Sequence, residues 1–168
     1  MHCIDLRRGA ILASVALAVG CSSGGSSSRT SSGYRPVEVQ PSAGATRPDV
    51  GGVRLTAPHK VRTWNDVRQQ AAERMVSANP QGTYMGVVPD ALLAIPVLEI
   101  ELNGDGSVHR ILVLRPPRQA GDTVQLAADA VRRAAPFGDV SHLPRPWKFV
   151  ETFLFDDARR FKPRSLDQ

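Results

Sequence analysis

The chain has 168 residues, of which 42% are hydrophobic, and a formal net charge of +5. This length fits one small folded domain with additional segments beside it. The basic residues are scattered along the chain and cluster only near its end, from Arg159 to Arg164. Because nucleic-acid binding requires a basic face with stacking aromatic residues, we exclude a nucleic acid as the partner.

The first segment of the chain, 1–20, has the pattern of a secretory signal peptide. Two arginines precede an apolar run over 9–19, and Cys21 follows a small residue. The apolar run is far shorter than the roughly 20 residues that span a bilayer, so we predict cleavage rather than a transmembrane helix. Of the 2 cysteines, Cys3 would leave with the signal, and we expect no disulfide in the mature protein.

The sequence around Cys21 resembles the lipobox of bacterial lipoproteins, with small residues before the cysteine and the polar run 22–26 after it. The resemblance implies cleavage between Gly20 and Cys21 and a diacylglycerol on the Cys21 thiol. Two or three acyl chains would anchor the protein stably, since each buried methylene contributes about 0.8 kcal/mol. Ser22 implies sorting to the periplasmic face of the outer membrane. The alternative is an ordinary signal peptide that happens to precede a cysteine.

The chain after the signal divides into three parts. Residues 21–58 comprise the lipidated cysteine and a segment rich in Ser, Gly and Pro. This segment has too few apolar residues to offset the entropy of ordering, so we predict a disordered linker. We expect a folded domain over 59–156 and a basic tail over 157–168.

Two helices are predicted in the domain. Thr63 is a suitable N-cap, and Asp66 supplies an acid three residues later, so the first helix should begin at 64. Apolar residues continue at helical spacing as far as Asn79, which precedes a proline. For the second helix, Asp122 or Thr123 is the predicted N-cap, and Pro136 ends the helix.

Three strands are predicted. Residues 97–102 alternate between apolar and acidic side chains, and the run Asn-Gly-Asp-Gly over 103–106 favours a tight hairpin turn into a return strand over 107–114. The third strand, over 147–155, places aromatic residues on one face. The order helix, hairpin, helix, strand predicts an α+β fold. We expect a small antiparallel three-stranded sheet with two helices packed on one face, preceded by the disordered linker.

This arrangement resembles the C-terminal domains of TonB and TolA. In that family an opening helix is followed by a strand, a DG turn, a second strand, an Ala-rich helix and a final aromatic strand. The residues that carry the resemblance are the hairpin 97–108, the helix residues Asp122, Ala127, Ala130 and Ala134, the pair Pro136 and Phe137, and the strand 149–155. The resemblance implies a domain that binds other proteins of the cell envelope by pairing a partner strand with an exposed sheet edge.

A free edge on the third strand is where we expect this partner. The residues on that edge are Lys148, Val150, Thr152 and Leu154. An unpaired edge strand offers N–H and C=O groups to another chain. The alternative is that the segment 156–168 folds back and covers the edge. The oligomeric state is not predicted.

The sequence is compatible with three classes of function. The preferred one is a lipid-anchored periplasmic lipoprotein whose domain binds another envelope protein. The alternative is a TonB-like accessory in energy-coupled transport across the outer membrane, but the sequence has no apolar run of spanning length. The third is an unrecognised hydrolase, for which no catalytic constellation is present.

The sequence predicts no enzyme, no cofactor and no metal, because it contains no motif for nucleophilic catalysis or for phosphate or dinucleotide binding. The run from Glu101 to Gly106 imitates the start of a calcium loop, but the twelfth position is Leu112, where a bidentate glutamate is required. Glu151 stands alone on the aromatic face of the third strand, where it would pair with an arginine or face a ligand.

Overall fold

The computed structural model describes residues 35–41 and 54–167. The signal peptide, Cys21 and most of the predicted linker lie outside the described residues. The elements, in chain order, are β1 (Val37–Glu38), α1 (Trp64–Ala78), β2 (Val97–Leu102), β3 (Val108–Arg115), α2 (Asp122–Ala134), β4 (Lys148–Phe155), β5 (Phe161–Pro163) and a single 3-10 turn (Arg164–Leu166). None of the described helices is long and apolar enough to cross a membrane.

The sheet has five strands in the order β1-β3-β2-β4-β5, and every pair of neighbours is antiparallel. The general α+β class with two helices is confirmed, but the expectation of a three-stranded sheet is wrong. The two additional strands have two and three residues. Strands this short cannot show the alternation by which a sequence reveals a strand.

The first helix begins where the sequence predicts. The Thr63 side chain accepts a hydrogen bond from the Asp66 N–H at 3.1 Å, and the Asp66 carboxylate accepts one from the Thr63 N–H at 3.0 Å. This reciprocal capping box satisfies two N–H groups that the first turn would leave unpaired. At the other end, the Asn79 side chain donates to the Met75 carbonyl at 2.7 Å. Both bounds of α1 are therefore fixed by local hydrogen bonds.

The hairpin turn between β2 and β3 is held against the loop that follows α2. Gly106 has a φ of +79°, and a Cβ at this position would lie 2.0 Å from the Gly138 carbonyl oxygen. The Phe137 N–H donates to the Gly106 carbonyl at 2.9 Å, and the Val140 N–H donates to the Gly104 carbonyl at 2.9 Å. Glycine is therefore required at 106 both for its backbone conformation and for the close approach.

The core lies between the two helices and one face of the sheet. Buried residues of β2 and β4 alternate along each strand, as predicted, and pack with apolar residues of both helices in one cluster. The fully buried members include Leu98, Ile100, Phe153, Phe155, Val67, Met75 and Val131. Trp147, which was expected to begin the third strand, precedes β4 and is half-buried.

Candidate strand-docking edge

The residues predicted to bind a partner lie on β4, which has a neighbour on each side. β2 pairs with β4 along one side, and β5 pairs with it at Phe153, Leu154 and Phe155 on the other. The placement of this strand at a free edge is therefore corrected. The chain after β4 turns back and covers its end, which is the arrangement that the alternative prediction described for the tail.

The four residues are placed differently along β4. Lys148 is exposed and its ammonium lies 2.9 Å from the Glu99 carboxylate, while Val150 is 41% exposed. Thr152 is half-buried, and Leu154 is only 3% exposed. Leu154 therefore has little surface to offer a partner, since its side chain is already packed.

Two N–H groups of β4 on the β5 side are also used within the chain. The N–H groups of Phe153 and Phe155 point toward the β2 side, where they donate to carbonyls of 96 and 94, so the even-numbered N–H groups point the other way. The Lys148 N–H donates to the Pro146 carbonyl, and the Thr152 N–H donates to the Glu151 carboxylate. These two donors are therefore not offered to a partner strand.

The opposite end of the sheet offers a more accessible edge. β3 has eight residues, and on its outer side it pairs with the two residues of β1, Val37 opposite Val113 and Glu38 opposite Leu112. One further bond continues this pairing, from the Val39 N–H to the Ile111 carbonyl at 2.9 Å. Most of the length of β3 therefore extends beyond the strand that pairs with it.

Helix α2 forms a second wall beside this edge. Gln125 donates through Nε2 to the Gln40 carbonyl at 3.3 Å, and the Arg132 guanidinium donates to the Val39 carbonyl. The Asp129 carboxylate accepts hydrogen bonds from both side chains, at 3.0 Å from Gln125 and 3.3 Å from Arg132. Spacings of three and four residues place these side chains on one face of the helix. Asp129 thus orients two donors toward a strand lying on β3.

An extended segment in this position contacts both walls mainly through its backbone. We call the space between the outer edge of β3 and this face of α2 the edge groove. Val39 is the side chain of the segment that is buried in it, at 9% exposure, while Val37 is 58% exposed. An open cleft of about 190 Å³ lies alongside the segment, with Glu38, Val39, Pro41, Val108 and His109 among its lining residues.

The outer face of the sheet carries charged side chains in pairs. The Arg110 guanidinium contacts both carboxylate oxygens of Glu101, at 2.8 and 2.9 Å. This hydrogen bonding holds the pKa of the Glu101 carboxyl below its usual value. Glu101 is thereby committed to an arginine and is unavailable as the calcium ligand that its sequence position imitates. Among the described residues, no group of three His, Cys, Asp or Glu side chains could hold a metal ion.

Glu151 is buried on the core face of β4, at 2% exposure. Its Oε1 accepts hydrogen bonds from the N–H groups of Thr152 at 3.0 Å and Ser165 at 3.2 Å. Oε2 has no hydrogen-bond partner among the described residues. Burial raises the pKa of the Glu151 carboxyl, against the opposing effect of these hydrogen bonds. The sequence predicts an arginine partner or a ligand-facing position for Glu151. In the structure its carboxylate instead fixes the 3-10 turn to β4.

The sequence analysis missed the edge groove because β1 lies in the segment predicted as linker. A signal for the α2 wall was nevertheless present, since Gln125, Asp129 and Arg132 recur at helical spacing on a polar stripe. Nothing in that spacing reveals which backbone the stripe contacts. Comparison with known proteins adds no assignment, because no family model, no curated protein and no solved structure matches the chain.

Proposed function

We propose that the protein is a lipid-anchored protein on the periplasmic face of the bacterial outer membrane, and that its domain binds another envelope protein by strand pairing. The anchor is supported by the lipobox-like sequence that ends at Cys21. The binding role is supported by the resemblance of the domain sequence to TonB and TolA C-terminal domains. The edge groove, rather than β4, is the docking site in this proposal.

The observation that carries the proposal is the difference in length between β3 and the strand on its outer side. β3 has eight residues and β1 has two. Backbone N–H and C=O groups along a strand edge favour pairing with another extended chain. In strand addition these main-chain bonds supply affinity, and pockets for alternate side chains supply specificity. Both elements are present at the edge groove, where Val39 occupies one such pocket.

The composition of the groove fits a protein partner. Its donors, Gln125 and Arg132, contact peptide carbonyls, and the side chain that it buries is aliphatic. Such contacts recognise an extended backbone with little dependence on sequence. A partner strand of an envelope protein would satisfy the same donors and the same apolar pocket.

The binding site can be tested by photocrosslinking in intact Gram-negative cells. A photoreactive amino acid at His109, an exposed residue of β3, should give a discrete adduct with an envelope protein. The matched control is the same substitution at Glu73, an exposed residue of α1 on another surface. Adducts of equal yield and identity from both positions, or from neither, would contradict binding at the β3 edge.

The anchor is tested separately. Mass spectrometry of the mature N-terminus should show an acylated Cys21, because the lipobox-like sequence directs cleavage before this residue. Cys21→Ser should release the protein from the membrane fraction, whereas Ser22→Thr should leave it there. An unmodified chain that begins at any other residue would show that the lipid anchor is absent.

A further inference from the structure

The edge groove already holds a strand of the same chain. We propose that residues 37–40 are an intramolecular occupant of a peptide-binding groove between β3 and α2, which an extended partner strand displaces. The inference rests on the proposed function, since it concerns regulation of the same docking site. It identifies the competitor, the class of peptide that the groove binds and the reason why a partner strand displaces the competitor.

The contacts of the occupant define the class of ligand. Its backbone supplies two residue pairs to β3, the Val39 N–H to Ile111, and the carbonyls of Val39 and Gln40 to α2. Val39 is the side chain that the groove buries, and Val37, Glu38 and Gln40 are exposed. The groove therefore selects an extended peptide with one aliphatic residue and tolerates variation at the neighbouring positions.

One of the two prolines beside the segment limits how far it can pair with β3. Pro36 and Pro41 flank the four residues 37–40. The Val39 N–H points toward β3, so the next donor on that side would be at 41, where proline has no N–H and the pairing cannot continue. The template is longer than its occupant, because β3 continues from Val108 to Arg115. A partner strand without proline can form additional backbone hydrogen bonds and thus displace the shorter segment.

The advantage of the occupant is that it is part of the same chain. Residues 42–53 connect Pro41 to the first described residue of the domain. A competitor joined by a short connection acts at an effective concentration on the order of millimolar. If it fills the groove about nine-tenths of the time, the apparent affinity for a peptide in solution falls about tenfold, because one tenth of the molecules are competent to bind. Removing the segment from the groove should therefore raise the apparent affinity for the peptide about tenfold.

The test uses full-length protein in detergent and a fluorescent peptide. The probe has the sequence of residues 35–41 with threonine in place of both prolines, and its binding is followed by fluorescence anisotropy. Val39→Asp should expel the native segment, because the charged side chain cannot occupy the apolar pocket. The matched control is Val37→Asp, which introduces the same charge at a residue that is 58% exposed.

The proposal predicts that Val39→Asp raises the affinity for the probe about tenfold over the unsubstituted protein, and that Val37→Asp changes it less than twofold. Equal affinity in all three proteins, or no binding to any of them, would overturn it. If the Val39→Asp protein does not fold, the unsubstituted protein still provides a second measurement. There, excess probe should accelerate hydrogen exchange at the Val39 amide and leave the Phe153 amide unchanged. An unaltered Val39 rate would also overturn the proposal.

The outcomes separate this inference from the proposed function. The probe is a synthetic peptide, so its binding does not require that an envelope partner exists. Displacement by the probe without any crosslink from position 109 would support the groove and refute the envelope partner. A crosslink from position 109 with no effect of Val39→Asp on probe binding would support the partner and refute the intramolecular competitor.

Discussion

The two ends of the sheet are closed by short strands of very different quality. β5, at one end, places Phe161 in the core, where its ring centroid lies 5.3 Å from that of Phe153. β1, at the other end, has two exposed residues, and of its segment the structure buries the side chain of Val39, which follows β1. All three residues of β5 are buried, whereas the segment that contains β1 adds Val39 alone to the core cluster. A short strand thus stabilises a sheet only insofar as its side chains enter the core.

We expect the largest loss in the free energy of unfolding from a substitution at Phe161. Replacing a buried phenylalanine by alanine removes packed surface and leaves a cavity, so Phe161→Ala should lower the free energy of unfolding by about 3–5 kcal/mol. Val39→Ala, at the opposite end, should lower it by less than about 1 kcal/mol, because the segment can be released without opening the core. Urea denaturation of both variants measures the difference. Similar losses would show that the two edges are equivalent.

Lys162 is a charged residue that is buried in β5. At 7% exposure, its ammonium donates to the Gly86 carbonyl at 3.0 Å and to the Asp167 carboxylate at 2.7 Å. Lys162→Ala removes both bonds and should cost about 1–3 kcal/mol. The control is Arg159→Ala, whose ion pair with Asp122 has both side chains 52% exposed and should contribute much less to the free energy of unfolding. An equal loss in the two variants would mean that the tail is not anchored by Lys162.

Glu151 connects the stability of the β5 end to pH. Its folded pKa is raised by burial, so the folded protein retains a proton that the unfolded chain has already lost. The stabilising contribution is therefore present below the unfolded pKa and is lost as pH rises toward the folded value. The side chain of the Glu151→Gln variant does not titrate. The free energy of unfolding of the unsubstituted protein, relative to that of the variant, should therefore fall as pH increases.

Urea denaturation of both proteins across a pH series measures this difference. Exposed carboxyls with lowered pKa values, such as Asp66 and Asp105, act in the opposite direction but are common to both proteins and cancel. A difference that is constant with pH, or that rises with pH, would show that Glu151 is not the buried acid at this end of the sheet.

The sequence predicted those parts of the fold whose signals are local. The capping box of Thr63 and Asp66 fixed the start of α1, and the Asn-Gly-Asp-Gly turn fixed the β2–β3 hairpin. Alternation along β4 correctly identified its buried face. These features arise from residues within a few positions of each other, so that no knowledge of the tertiary structure is needed.

The edges of the sheet could not be predicted in the same way. All three residues of β5 are buried, so they show no alternation, and the partners of Glu151 include Ser165, fourteen residues later. β1 lies between two prolines in a segment whose composition is typical of linkers. Both strands are held by contacts between distant parts of the chain, and for this reason the sequence placed β4 at an edge that β5 occupies in the structure.

Native-state hydrogen exchange of the full-length protein tests the difference between the two edges most directly. It compares the Val39 amide, which donates to Ile111 across the β1 edge, with the Phe161 amide, which donates to Gly82 at the β5 end. We predict that Val39 exchanges through a local opening of low free energy, while Phe161 is protected nearly to the level of global unfolding. Equal protection of the two amides would contradict the account, because β1 would then be as firmly fixed as the core and could not give way to a partner strand.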